Sequence, residues 1–255
     1  MNEKLISIIN KEISTKNFEE LLKKHQIIDE NHYKENITID DMKRYLDEYK
    51  MAENASDKAK KVLILLAGNP EIVFKCCLET LNRNLDMTIA IQDYCLAQNT
   101  LIVDAMNDII KNNNLKSKLN LKNLLKDTEI INESKNVDKV ICIGDSNLYN
   151  RLEEKIKNLE LNPYGIFEIY SDSDEYEELE KTFFDYCYQK EFEAEDYSDL
   201  EIEEAVRLIN KNGYKFSVVL FSKDKEKQKL FKQIDSKYII INKNPFKEIK
   251  FKLEI

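Results

Sequence analysis

Lys61-Val62-Leu63-Ile64-Leu65-Leu66-Ala67-Gly68-Asn69-Pro70 is the stretch on which the fold of this chain turns. Residues 62–66 are continuously apolar, with no polar alternate. That is the pattern of a strand covered on both faces, as in a parallel sheet. Ala67-Gly68-Asn69-Pro70 follows at once with turn-forming residues. Ile72, Val73, Cys76, Cys77 and Leu81 then recur at helical spacing. Strand, tight turn and helix open a βαβ unit.

The same order repeats downstream. Residues 88–91 form a second strand, and a long helix over 94–112 places Ile102, Ala105, Met106, Ile109 and Ile110 on one face. Glu129-Ile130-Ile131 is expected as a third strand. Residues 140–143 are a clear one, closing on Gly144-Asp145-Ser146. Leu148, Leu152, Ile156 and Leu159 mark the next amphipathic helix. Leu161-Asn162-Pro163-Tyr164-Gly165 is a turn-rich break and sets a domain boundary. Beyond it come a strand over 166–170, a helix cap at Ser171-Asp172-Ser173-Asp174, and a helix through Leu179 and Phe183. Residues 189–198 are acidic and irregular. Ser198-Asp199-Leu200-Glu201 reads as a capping box, followed by a helix with Ile202, Ala205, Val206 and Ile209 on one face and a stop at Asn212-Gly213. A strand over 216–221, a short helix to Ile234 and a strand over 238–241 complete the pattern. The last residues, 249–255, alternate apolar with charged and are expected as a half-exposed edge strand. Upstream, residues 1–58 are polar and helical, with Leu5, Ile8, Ile9 and Ile13 on one face and a helix start at Thr38-Ile39-Asp40-Asp41. The expected fold is α/β: packing helices over 1–58, a parallel-sheet domain over 59–162, and a shortened second α/β domain over 163–255.

Composition narrows the function. The chain has 255 residues, 42% hydrophobic, enough for a real core. A formal net charge of -9 argues against a general nucleic-acid binder and against docking on anionic lipid. Local basic residues remain at Lys223, Lys225, Lys227 and Lys229. No apolar run reaches the roughly 20 residues of a membrane span, and the first ten residues do not read as a secretory signal. The expected location is cytoplasmic. Cys76, Cys77, Cys95, Cys142 and Cys187 lie in otherwise apolar stretches without CxxC spacing, which reads as reduced core thiols. His25 and His32 stand in a charged region, and no metal site is expected. With only four glycines, the chain has neither of the two common phosphate-cradling motifs.

Several segments resemble, in order, landmarks of the aldehyde dehydrogenase superfamily. Residues 62–70 resemble its first cofactor-domain strand and turn, in wording nearest the acyl-reductase and glutamyl-phosphate-reductase branches. Residues 84–92 resemble the segment leading to the cofactor-binding lysine, and 138–146 the strand that ends in a Gly-Ser pair. Residues 166–179 resemble the strand and acidic cap that open the catalytic domain, and 202–244 a late segment ending here in Ile239-Ile240-Ile241-Asn242. The resemblance implies a Rossmann-like domain, NAD or NADP as cofactor, and contacts from Gly68, Asn69, Gln92, Gly144 and Ser146. The departures are as informative. Gln92 stands where the family has a lysine and cannot make a charge-assisted bond. Asp145 interrupts the Gly-Ser pair with a charge that repels phosphate. The family's nucleophile motif, general-base Glu and later Glu-Phe-Gly type motif have no counterpart, and the length that would hold them is missing between about Cys187 and Leu200.

Each candidate has a plain structural reading beside its functional one. Cys187 would need a lowered thiol pKa to be a displaced nucleophile, and its neighbours Leu179 and Phe183 favour a core position. Asn69 is equally a ligand contact at a strand's carboxyl end or an ordinary turn residue. Gly144 to Ser146 could hold an anion at a helix N-terminus, but Asp145 favours capping. The acidic run at 172–180 is explained by the helix dipole without a metal. The expected protein is therefore a reduced, non-catalytic scaffold or small-molecule-binding relative. The alternatives are an NAD(P)-dependent aldehyde or acyl oxidoreductase with a displaced cysteine, and a structural subunit of a full-length relative. A homodimer through the C-terminal edge strand is the expected assembly.

Overall fold

The computed structural model describes residues 3–25, 36–50, 61–67, 69–91, 96–124, 126–190, 192–211, 217–249, 251 and 253. Gly68, Gln92, Cys95, His32 and Gly213 lie outside them. The chain forms two compact units, Met1–Asn162 with Leu253–Ile255, and Pro163–Lys252.

The first unit is built on a five-stranded parallel sheet. β1 (Lys61–Leu66) is central, flanked by β2 (Asp86–Ile91) and β4 (Lys139–Ile143), with β3 (Lys118–Asn123) and β5 (Leu159–Asn162) at the edges. Val62, Leu63, Ile64, Leu65 and Leu66 are all buried, as their unbroken apolarity requires. Alternation sends Leu63 and Leu65, with Val140 and Cys142, to one face. There they pack on Ile130 of α6 (Asp127–Ser134) and on Leu148 and Leu152 of α7 (Ser146–Leu152). The other face meets α4 (Pro70–Arg83), where the Thr80 hydroxyl contacts Met87 Sδ at 3.1 Å. Beside α4 lies α5 (Leu96–Asn112), which also packs on β3, and α1 (Glu3–Ile13), α2 (Lys16–Lys24) and α3 (Ile39–Lys50) pack on these two helices. The Gln98 carboxamide ties this layer together, donating to Leu22 O at 3.2 Å and accepting from Ile37 N at 3.4 Å. Thr38 starts α3 with a reciprocal cap: its hydroxyl accepts from Asp41 N, and the Asp41 carboxylate accepts from Thr38 N, each at 3.1 Å.

The second unit holds a four-stranded parallel sheet in the order β7 (Glu193–Asp196), β6 (Ile166–Ser171), β8 (Ser217–Phe221), β9 (Tyr238–Ile241). One face packs on α9 (Ile202–Lys211) and α10 (Lys225–Phe231), through Tyr170, Val218 and Leu220 against Ala205, Ile209 and Phe231. The other packs on α8 (Glu177–Lys190) through Phe167, Ile169, Val219 and Phe221. Gly165, at φ +90, enters β6 where an added Cβ would stand 2.8 Å from the Phe192 ring.

Five local expectations are corrected. Residues 129–131 belong to helix α6, not to a strand. The Glu129 carboxylate reaches back to Lys126 N at 3.2 Å as a helix start does, and the third strand is Lys118–Asn123. Leu159 is not the last turn of a helix: α7 stops at Leu152 and Leu159 opens β5, paired with β4. The acidic stretch after 190 contains β7. Ser198 is no cap for α9, because its hydroxyl accepts from Ser171 N at 2.9 Å and donates to Asp196. The tail is no edge strand at its described residues. Ile249, Phe251 and Leu253 are buried and lie outside both sheets, and Phe251 packs edge-on to Tyr164 at 5.1 Å between ring centres.

Candidate functional site

In an open parallel sheet, the place for a ligand is beyond the carboxyl ends of two neighbouring strands whose connections leave in opposite directions. In the first sheet those strands are β1 and β4, which lie side by side with Leu65 beside Cys142. The topology therefore brings Asn69, after β1, and Gly144 to Ser146, after β4, to one edge. Both groups were found in sequence, and both turn out to be occupied with their own helices. Asn69 is the N-cap of α4, its carboxamide oxygen accepting from Glu71 N at 2.9 Å, with Pro70 in the first turn. Asp145 is the N-cap of α7, its carboxylate accepting from Leu148 N at 2.7 Å. Gly144 takes a positive φ of 65 and Ser146 is the first residue of α7.

This edge is a poor match to a dinucleotide. A pyrophosphate on a helix N-terminus needs free N–H groups and an absence of negative charge. Here Pro70 has no N–H, Glu71 N and Leu148 N are taken by the caps, and Asp145 brings a carboxylate to the end of α7. The described residues thus do not fit NAD or NADP at these two helix ends.

Cys187 lies on α8 in the second unit, 2% exposed, among Phe167, Phe183 and Phe221. Burial pushes its thiol up to about 12. Cys76 and Cys77 lie on α4, fully buried, and burial drives both thiols upward. Cys142 is buried as well and directs Sγ to Asp145 O at 3.2 Å. Among the described residues no group of three His, Cys, Asp or Glu could hold a metal ion. No helix there is long and apolar enough to cross a membrane.

One polar cluster escaped the sequence reading. It stands at the corresponding edge of the second sheet, where β6 and β8 are neighbours. Lys227, on α10, reaches Asp172 at 2.5 Å and the Tyr170 hydroxyl at 3.3 Å. The bond to Asp172, helped by Tyr170, raises the lysine pKa further and keeps it charged. Lys223 pairs with Glu175. Two members of the basic stretch and two of the acidic run therefore neutralise each other. Separation hid this: Asp172 and Lys227 are 55 positions apart in sequence, and only the adjacency of β6 and β8 joins them.

No family model matches the sequence, and no curated protein matches it. Solved structures do. The gamma-glutamyl phosphate reductase of Thermotoga maritima is similar at a TM-score of 0.58 and 12% identity, over 94% of this chain and 82% of that one. A propionaldehyde dehydrogenase of Rhodopseudomonas palustris, solved with CoA and an acylated cysteine, is similar at a TM-score of 0.53 and 8% identity, over 94% and 82%. The chain has an aldehyde-dehydrogenase-like fold. That fold accounts for two parallel sheets in succession, the first in the Rossmann strand order short of its sixth strand.

Proposed function

We propose that this aldehyde-dehydrogenase-like chain is a non-catalytic protein that keeps the scaffold for assembly or for a small-molecule ligand. The observation that carries the proposal is the position of Cys187. Acyl transfer through cysteine needs an accessible thiolate near neutral pH. Cys187 is instead a buried residue of the core cluster that holds Phe167, Phe183 and Phe221, with its proton held to about pH 12. The capped helix ends at Asn69 and Asp145 support the same reading, since each side chain already occupies a helix N–H that an anion would take.

Alkylation of the native protein with iodoacetamide at neutral pH, followed by peptide mapping, tests this directly. Cys187 should stay unmodified until the protein is unfolded, and aldehydes should not be turned over with NAD or NADP. Rapid labelling of Cys187 in the folded protein, or a turnover that Cys187→Ala abolishes, would overturn the proposal in favour of an active oxidoreductase.

A further inference from the structure

β6 and β8 are the neighbouring strands of the second sheet whose connections leave on opposite faces, α8 on one and α10 on the other. The carboxyl ends of such a pair are where an open α/β sheet takes a ligand. Two ion pairs cross that place. Asp172, in the turn after β6, receives Lys227 of α10 at 2.5 Å. Glu175, in the single helical turn Asp174–Tyr176 that follows, pairs with Lys223 in the turn after β8. That second turn is fastened to α10, because the Gln228 carboxamide donates to Ser222 O at 2.8 Å and Asp224 N donates to Ser222 Oγ at 3.1 Å. Backbone contact across the gap is made by Asp172 N, which donates to Phe221 O at 3.1 Å. Water reaches all four charged side chains: Lys227 and Asp172 are 27% and 22% exposed, Lys223 and Glu175 61% and 55%.

We propose that Asp172–Lys227 and Glu175–Lys223 form an electrostatic clasp that holds these two turns together over the carboxyl ends of β6 and β8, so that ionic strength governs access to this edge. A single exposed ion pair holds little, whereas charges joined in a network hold more. Here both acids lie on one segment and both lysines on the other, so the two bonds close in one docking of the turns. Their exposure makes them sensitive to dissolved ions: the screening length falls from about 10 Å at 0.1 M salt to about 3 Å at 1 M. The contacts beneath are apolar, with Tyr170, Val218 and Leu220 in one cluster with Phe231. Salt does not screen those, so the clasp opens while the sheet stays closed. This inference stands apart from the question of catalysis.

Native-state hydrogen exchange of the whole chain tests the clasp, with the amides of 172–176 as reporter and those of Val219 and Leu220 inside β8 as control. Raising potassium chloride from 0.05 to 1 M (about a fivefold cut in screening length) should speed exchange at 172–176 by about tenfold, the order of two such pairs lost together. The β8 amides should not change. Lys223→Met with Lys227→Met should exchange fast at 172–176 at both salt concentrations. Exchanging the partners, Asp172→Lys with Lys227→Asp, should restore the slow, salt-sensitive behaviour. Exchange at 172–176 that ignores salt overturns the proposal, and this result needs no variant. So does a salt effect that speeds β8 equally, because the opening is then global unfolding. A folded double methionine variant that exchanges as slowly as the unsubstituted chain overturns it as well.

Discussion

Burial of the Cys187 thiol has a consequence for stability as well as for reactivity. Its pKa rises from an ordinary value near 9.0 to about 12 in the folded protein. A group whose folded pKa is raised contributes fully below the unfolded value and loses that contribution as pH climbs to the folded one. Stability should therefore hold below pH 9 and then fall between about 9 and about 12, by about 1.4 kcal/mol per pH unit for each such thiol. Cys76 and Cys77 are raised in the same direction and steepen the decline. Urea denaturation across that range checks the slope, and Cys187→Ala should make it shallower. The caps make a second prediction. Asn69→Ala and Asp145→Ala should each lower stability by about 1 kcal/mol, the usual value for a lost N-cap. If either residue served a ligand instead, its replacement would leave denaturation unchanged. At this scale the sequence was half legible. Turn chemistry located Asn69 and Asp145 correctly, while their preoccupation with Glu71 N and Leu148 N depends on where α4 and α7 begin.

Helix α4 carries the least expected feature at the next scale. Glu71, Lys75, Glu79 and Arg83 recur every fourth residue, a stripe that in sequence reads as a solvated helix face. All four are buried in the packing of α4, and α3 sets the Tyr45 ring 4.1 Å from Lys75 Nζ. The charges are paired along the helix, Lys75 with Glu71 at 2.9 Å and Arg83 with Glu79 at 2.8 Å. Removing one member of a buried pair strands the other, which costs about 3–5 kcal/mol, whereas removing both is far milder. Lys75→Met should destabilise the protein by that order, and the double change with Glu71→Gln should recover most of the loss in the same denaturation assay. The strands show the converse limit. β1 and β4 were visible because buried parallel strands are apolar throughout. β3, with Lys-Leu-Asn-Leu-Lys-Asn, and β7, with Glu-Ala-Glu-Asp, were not. They are edge strands, and hydrogen bonding to β2 and β6 holds them without a continuous apolar run.

For the whole molecule, the question is whether a fold of this kind still takes a nucleotide. A ligand that binds only the folded state at a hundredfold excess over its dissociation constant adds about 2.7 kcal/mol of stability. With both helix N-termini at the β1–β4 edge capped, NAD and NADP at millimolar concentration should leave the melting temperature unmoved. A clear rise would show that nucleotide binding survives through other residues. By itself, the sequence determined that the chain is α/β, that a turn-rich break follows Asn162, and that the first sheet begins at 61–66. Those properties are written in local patterns: unbroken apolar runs, helical spacing, and turn residues between them. Tertiary structure alone decided two things: the burial of the α4 charges and the meeting of Asp172 with Lys227. Each depends on which strands and helices become neighbours. That is fixed by the packing of segments tens of residues apart, which no local pattern records.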